Sequence, residues 1–583
     1  VFALPDPPEV DVAADSAFPR AILISLLVLG AAAPAARAAW PSDPTINLPV
    51  CTAVSDQMNP RIVSDAAGGA ILTWQDTRGG TTSDIYAQRV NFAGVPQWAA
   101  GGVALCTATG DQITPVIVAD GAGGAIVSWE DFRVVGQGSS IYAQRVNAAG
   151  VAQWSANGVA LSTTTNSRYN PTIATDGANG AIVAWQYATP GPSYDIHVQR
   201  VTAAGAIAPG WPADGLGLSS AANDRLNPAI IADGAGGAIV AWQIGATIAT
   251  NDVVAQRVNA GGALQWGANG AVVSAASNAQ YSPLVATDGA GGAIMVWQDT
   301  RNSTFDLYAQ HLNAAGTPQW TTDGVAVCPG LHGQQYPALA ADDAGGVIVA
   351  WDDARNGTAD VFVQRLGTAG TPLWASGGAA LCVAAGHQQY ASITPDLSGG
   401  AIVTWQDERG TGPDVYARRV SSAGVPQWGP DGVAISTASI YQVSPILASN
   451  GEGGAIVAWQ DSRNLNGWDV YAQNVNGDGS LGGSLLSVPG APTPRRLDVR
   501  CRRGNPGPGA LTVSFSLVDG SPARLDVFDV VGRRVSSLDV GSFGAGDHVT
   551  SLAANARELP PGLYEIRLAQ GAQRASTRAV VLR

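Results

Sequence analysis

The sequence predicts an all-β chain: an eight-bladed β-propeller of four-stranded blades, its ring closed by the N-terminal strand, followed by a small C-terminal β-sandwich. Three observations carry this expectation. A motif typified by GGAIVAWQDSR at 453–463 occurs eight times. Its tryptophans, Trp74, Trp129, Trp185, Trp242, Trp297, Trp351, Trp405 and Trp459, stand 54 to 57 residues apart, the period of a repeat array. Each unit divides at Gly-rich turns into four short runs, as in 112–161, where TPVIVAD, AIVSWED, IYAQRVN and GVAL follow one another. The second run is apolar at nearly every position, so both of its faces must be buried. A blade lying between two other blades supplies that burial.

Along the chain, residues 1–38 read as an extension and signal peptide. AILISLLVLGAAAPAA follows Arg20 and runs into ARA at 36–38, a basic flank, apolar stretch and small-residue cleavage site. The stretch is shorter than the roughly 20 residues a spanning helix needs, so a secreted chain with no stable membrane span is expected. Residues 39–480 form the propeller. The eighth unit lacks a fourth run after DVYAQNVNGDGSLGG, while INLPVCT at 46–52 aligns with GVALCT at 102–107. The N-terminal segment therefore supplies the missing strand and leaves no free sheet edge at the seam. Trp40 likewise takes the place of a turn tryptophan, Trp98 in the first unit and Trp428 in the seventh.

Residues 481–496 are a Gly/Pro/Ser-rich linker, and 497–583 show the alternating strands of a small antiparallel sandwich. In this last stretch Asn505 and Pro506 precede the first expected strand, LTVSFSL. VFDVVGRRV stands at 527–535, GDH at 546–548 and PPGLYEIRL at 560–568. With these elements it resembles the C-terminal sorting domains of the type IX secretion system and the related flagellar hook-capping Ig-like fold. The resemblance covers about one sixth of the chain. It implies an Ig-like sorting or attachment module, the secretion machinery as partner and the bacterial cell surface as location.

The chain has no Lys. Residues 491–583 carry 13 Arg against 8 acids, and the remainder 18 Arg against 37 acids. An acidic propeller repels nucleic acid, which excludes that class of partner. Cys51, Cys106, Cys328 and Cys382 share one repeat position, filled by Ser162, Ser219, Ser274 and Ser436 in the other units. Equivalent atoms of neighbouring repeats lie too far apart to bridge, so buried thiols are expected rather than disulfides.

Two repeated sets carry the candidate polar chemistry. The loop entering the first strand of each unit offers one Gln or Arg at a channel mouth: Gln57, Gln112, Arg168, Arg225, Gln280, Gln335, Gln389 and Gln442. Such side chains either hold loop carbonyls or meet a sugar or an anion. The second strand ends in Asp-x-Arg at Asp76/Arg78, Asp131/Arg133, Asp299/Arg301, Asp353/Arg355, Asp407/Arg409 and Asp461/Arg463. These read as a loop clamp, with Asp accepting loop amides and Arg pairing with a neighbouring acid such as Asp84, Asp306 or Asp414. Units three and four break the pattern: Tyr187 and Ile244 replace the Asp, and Arg168 and Arg225 replace Gln, with Tyr169 beside the first. An arginine pair near aromatics suits a carboxylate or glycan, and Trp468 adds an aromatic to the eighth unit.

No catalytic residue is assigned, no cofactor motif appears, and no metal is expected, since His332 and His387 lack a third ligand at a recognisable spacing. The leading expectation is a non-enzymatic binding propeller taking a glycan or protein at one face. The alternatives are a glycan-active, sialidase-like hydrolase and a structural envelope component. Asp-box signatures are absent, and no acid and nucleophile set stands out in the repeats.

Overall fold

The computed structural model describes residues 40–483 and 497–581, short stretches within them excepted. The expected signal peptide and most of the expected linker lie outside the described residues. Among the described residues the chain is all-β, and no helix is long and apolar enough to cross a membrane.

Eight four-stranded antiparallel sheets follow one another as the blades of a β-propeller. With strands lettered a to d, blade 1 comprises Gln57–Ser64, Ala70–Asp76, Asp84–Val90 and Val103–Cys106. Strand a of the later blades begins at Gln112, Arg168, Asp224, Gln280, Gln334, Gln388 and Gln442. In blade 8 the outer position is taken by Leu48–Cys51, paired antiparallel with Asp469–Val475. Strands a of neighbouring blades lie against one another, blades 8 and 1 included. Beyond the blades, one sheet joins Asp498–Cys501, Leu511–Leu517 and Gly546–Leu552. A second joins Ala523–Phe528, Arg534–Asp539, Gly562–Gln570 and Gln573–Val581. Val513, Phe515, Leu525, Ile566 and Leu568, drawn from both sheets, share one core.

Strand b is buried along its whole length in blade 1, as its unbroken apolar run requires. All eight motif tryptophans are fully buried. Trp74 packs on Leu48, Val50 and Cys51 of blade 8, and Trp129 on Leu105 and Cys106 of blade 1. Removing an indole of this size from water is worth about 5 kcal/mol.

The Asp-x-Arg pairs close on themselves rather than on Asp84, Asp306 or Asp414, which corrects the expected partner. Arg301 donates to Asp299 at 2.7 Å, and Trp297 Nε1 donates to the same carboxylate at 2.8 Å. The guanidinium then lies over Tyr308 and reaches Ser274 of blade 4 and the Asp323 carbonyl. Arg78, Arg133, Arg355, Arg409 and Arg463 are each paired in the same way with their own Asp76, Asp131, Asp353, Asp407 and Asp461. The first four reach Cys51, Cys106, Cys328 and Cys382. Arg463, at 2.5 Å from Asp461, meets Ser436 of blade 7 and also Asn47, which precedes Leu48–Cys51. Its partners beyond Asp461 are therefore neutral groups rather than a neighbouring acid. Asp469, the acid that opens strand c of blade 8, is held by Asn464 instead. Each clamp thus fastens one blade to the outer strand of the blade before it.

The four cysteines are free and buried, and burial pushes the thiols of Cys51 and Cys106 up to about 11 and that of Cys382 to about 12. With the clamp Arg committed to its own Asp, burial and the Asp407 charge push Asp414 up to about 6.

A second set of ion pairs, not singled out in the sequence, holds the other end of the blades. Asp65 accepts the Ala67 and Gly69 amides across the a–b turn and pairs with Arg89 at 2.9 Å. Arg89 and Trp98 both donate to the Ala148 carbonyl of the next blade. The signal was present as the Asp of the turn and the Arg of AQRV at a fixed interval, but a pattern of this kind shows partners only once the c strand is laid beside the turn.

Replacing Asp407 with Ala leaves Trp405 Nε1 and the Arg409 guanidinium without their acceptor. We expect a loss of about 3 kcal/mol in urea unfolding followed by tryptophan fluorescence.

Candidate functional site

Of the expected channel-mouth ring, none of the aligned side chains faces open space. Gln57, Gln112, Gln280 and Gln442 are fully buried, as are Gln334 and Gln388, which hold the equivalent place in blades 6 and 7. The alignment through Gln335 and Gln389 is therefore one residue out of register; those two stand in the next position, half-buried, opposite Asp352 and Gln406. The buried amides serve loops: Gln57 donates to the carbonyls of Val54 and Ser55, and Gln112 to those of Thr109 and Gly110.

The arginine pair is inside as well. Arg168 is 0 % and Arg225 2 % exposed. Arg168 donates to the Asn166 carbonyl and lies 5.6 Å from the Tyr187 ring, which itself stacks on His197. Arg225 pairs with Asp195 of blade 3. Burial lowers the pKa of both guanidiniums. Tyr187 thus stacks on His197 where, in the clamped blades, the Arg lies over the aromatic ring at the same place in strand c, and the two arginines do not converge on a common opening. Tyr169 packs edge-on against Tyr194, 6.3 Å between ring centres. Trp468 is half-buried and uses its backbone: its amide donates to Asp56, and its carbonyl accepts from the Gln57 amide, tying blade 8 to blade 1.

The residues that do face the channel stand two places after the buried Gln or Arg of each strand a: Asn59, Thr114, Asn170, Asn227, Ser282, Tyr336, Tyr390 and Ser444. At this point the a–b register slips, and all eight adopt left-handed φ between 47° and 58°. In seven blades the amide so exposed donates to a side chain near the end of the preceding blade's strand b. Thr114 binds Gln75, Asn227 binds Gln186 and Tyr336 binds Gln298, at 3.0, 2.9 and 3.2 Å. Asn59, Asn170 and Ser282 bind Gln460, Glu130 and Gln243, and Tyr390 binds Asp352. This girdle of amides around the innermost strands was invisible in the sequence, because its donor is backbone and its acceptor lies one blade away.

Symmetry breaks in the girdle at blades 6 and 7. A left-handed backbone suits Asn and Ser, whereas a bulky side chain there is strained. Tyr336 and Tyr390 nevertheless occupy it, half exposed, their ring centres 5.6 Å apart. Between their backbones sits Asp352, 3 % exposed, where six other blades carry Gln. Its Oδ2 accepts the Tyr390 amide at 3.1 Å, and its Oδ1 has no hydrogen-bond partner among the described residues. Burial pushes this carboxyl up to about 7, against the amides of Tyr390 and Ala391 that donate to it. Glu130, four blades away in the same girdle, is also raised by burial. This carboxyl therefore keeps its proton toward neutrality in the strand that accepts the Tyr390 amide.

No family model matches the chain, and no curated protein sequence matches it. Solved structures of similar fold include a polysaccharide lyase, an ulvan lyase of family PL25 bound to a -[GlcA(1-4)Rha3S]- unit. It is 11 % identical, with 75 % of this chain and 98 % of that chain covered and a TM-score of 0.40. An α-L-arabinanase of Penicillium chrysogenum complexed with arabinobiose is 12 % identical over 53 % of this chain and 93 % of its own, with a TM-score of 0.30. An endo-arabinase of Bacteroides thetaiotaomicron is 12 % identical over 44 % and 95 %, with a TM-score of 0.25. At these identities the likeness is one of fold alone.

Two outcomes follow from the girdle. Replacing Tyr336 or Tyr390 with Asn, the residue used in blades 1, 3 and 4, should relieve left-handed strain and raise the urea midpoint by the equivalent of about 1 kcal/mol. For Asp352 the folded pKa lies above the unfolded value of 3.8, so its contribution is full below 3.8 and lost as pH rises to about 7. Wild-type stability should therefore fall across that window, by roughly 1.4 kcal/mol per pH unit at most, and Asp352→Asn should flatten the slope.

Proposed function

We propose that the protein is a glycan-active enzyme, a hydrolase acting at the channel mouth of blades 6 and 7. The observation that carries this reading is the buried, proton-holding Asp352 set between the strained, exposed tyrosines. It corrects the expectation of a non-enzymatic binding propeller. That expectation counted Arg168 and Arg225 among its ligand-binding residues, and these are buried in separate blade seams. The structures similar in fold, moreover, are named as arabinanases and a polysaccharide lyase.

In the proposed chemistry a sugar ring stacks on Tyr336 and Tyr390, and Asp352 gives its proton to the glycosidic oxygen as the bond breaks. Glu408, exposed just beyond strand b of blade 7, is the carboxylate we assign to activating water. The acidic balance of the chain outside the C-terminal unit favours a neutral glycan over a polyanionic one. In this reading the eight blades form a closed ring completed by Leu48–Cys51. The C-terminal sheets form an Ig-like sandwich that sorts or attaches an exported chain.

Release of reducing ends from a panel of neutral polysaccharides tests the reading. Activity should fall as pH rises past about 7, where Asp352 loses its proton. Asp352→Asn should lower kcat on the order of 100-fold or more while leaving KM within a few-fold. Cleavage undiminished in that variant would overturn the assignment.

A further inference from the structure

The left-handed positions filled by large side chains do not stop at the channel. Two residues before the buried Gln/Arg set, the loop entering strand a also turns left-handed. Ser55, Gly110, Asn223, Asn278 and Gly386 hold that place with φ between 63° and 92°, and blade 8 puts Ile440 there at 75°. In the b–c loops, four residues after the clamp Asp, Gly80, Ser303 and Gly357 are left-handed, and blade 8 puts Leu465 there at 60°. A β-branched or large apolar residue is strained at such a position, where Gly, Ser or Asn is not. Leu465, 81 % exposed, gains little by packing, and Ile440 keeps 37 % of its surface open. Strain kept without compensating burial points to a ligand.

Loop contacts link these residues along the rim from blade 6 to blade 1. The Ala359 amide of blade 6 donates to His387, which enters blade 7. Gly412 of the blade 7 b–c loop lies against the Tyr441 ring, half exposed and next to Ile440. The amide and carbonyl of Tyr441 are bonded to Ser462, three residues before Leu465. Trp468 then ties the same loop to Asp56 beside Val54, which is 70 % exposed. Among the described residues, the matching loops of blades 3, 4 and 5 expose no large apolar side chain.

We infer that the rim of blades 7 and 8 is an extended binding track for a linear, neutral polysaccharide. The polymer runs outward from Tyr336 and Tyr390 over Tyr441, Ile440 and Leu465. Sugar rings present C–H faces that stack on aromatic and aliphatic side chains, while the edges of the rings remain free for hydrogen bonds. Only a chain of several sugars spans from the channel across two blades, so the substrate class is polymeric. The inference rests on the proposed activity for the position of the cleaved bond, and on the rim alone for the polymer.

The test uses the full chain carrying Asp352→Asn, so that binding is read without turnover. Soluble arabinan, xylan, galactan and β-glucan are titrated by calorimetry, alongside the trisaccharide of any polymer that binds. A second protein adds Ile440→Asn and Leu465→Gly, the residue types the other blades use, which relieve strain and protect folding. We expect the ratio of polymer to trisaccharide affinity to fall about tenfold. An unchanged ratio, or no polymer bound by the parent, overturns the track. Loss of polymer binding in the double variant, combined with no cleavage by the wild-type chain, would keep the track and remove the activity.

Discussion

Each strand b is pressed between two blades, and because both of its faces are dry, every polar group at its end must find a partner inside the seam. The indole of the motif tryptophan fills the seam, but its N–H then needs an acceptor, and the Asp two residues on supplies it. That carboxylate in turn needs a cation, supplied by the Arg two residues further, which also donates to Ser274 of the preceding blade and to the Asp323 carbonyl of its own. Trp, Asp and Arg are therefore one unit, repeated because the seam repeats. At the seam between blades 7 and 8 the same unit, Trp459, Asp461 and Arg463, also draws in Asn47, which leads into the outer strand of blade 8 from the N-terminal side of the chain.

Where the unit is broken, the structure compensates by shape rather than by charge. Tyr187 stacked on His197 occupies the clamp space in blade 3, and Ile244 beside Val254 fills that of blade 4. Trp185 and Trp242 are left with buried indole N–H groups that have no partner among the described residues. The two most conspicuous departures in the sequence are thus repacked seams. The departure that reaches solvent is a quieter one, a Tyr for Asn or Ser at the bulge of strand a, with a buried Asp for Gln behind it.

Asp352 keeps the structural duty of the girdle while differing from Gln in its chemistry. As a hydrogen-bond acceptor for the next blade's bulge amide it does what Gln does elsewhere. As an acid in a dry site it also holds a proton that an amide cannot release. The two tyrosines beside it are kept in a backbone conformation that smaller residues adopt more easily, so an exposed aromatic surface is maintained at the expense of local stability.

The repeat, the strand order within each blade and the burial of the second strand were legible from the amino acids alone. They depend on periodicity and on local turn chemistry, which a single unit displays. The Asp-x-Arg motif was legible as a clamp for the same reason, since both residues lie in one loop; what Arg463 and its counterparts reach beyond their own Asp was not, because those groups belong to another blade. Which side of the blade a repeated Gln faces emerged only in three dimensions, because successive residues of a strand point to opposite faces and a one-place shift in the alignment exchanges inside for outside, as at Gln334 and Gln335. Folding alone brought Asp352 of blade 6 to the amide of Tyr390 in blade 7. Partners contributed by different repeats, one of them through its backbone, leave no spacing in the sequence by which to find them.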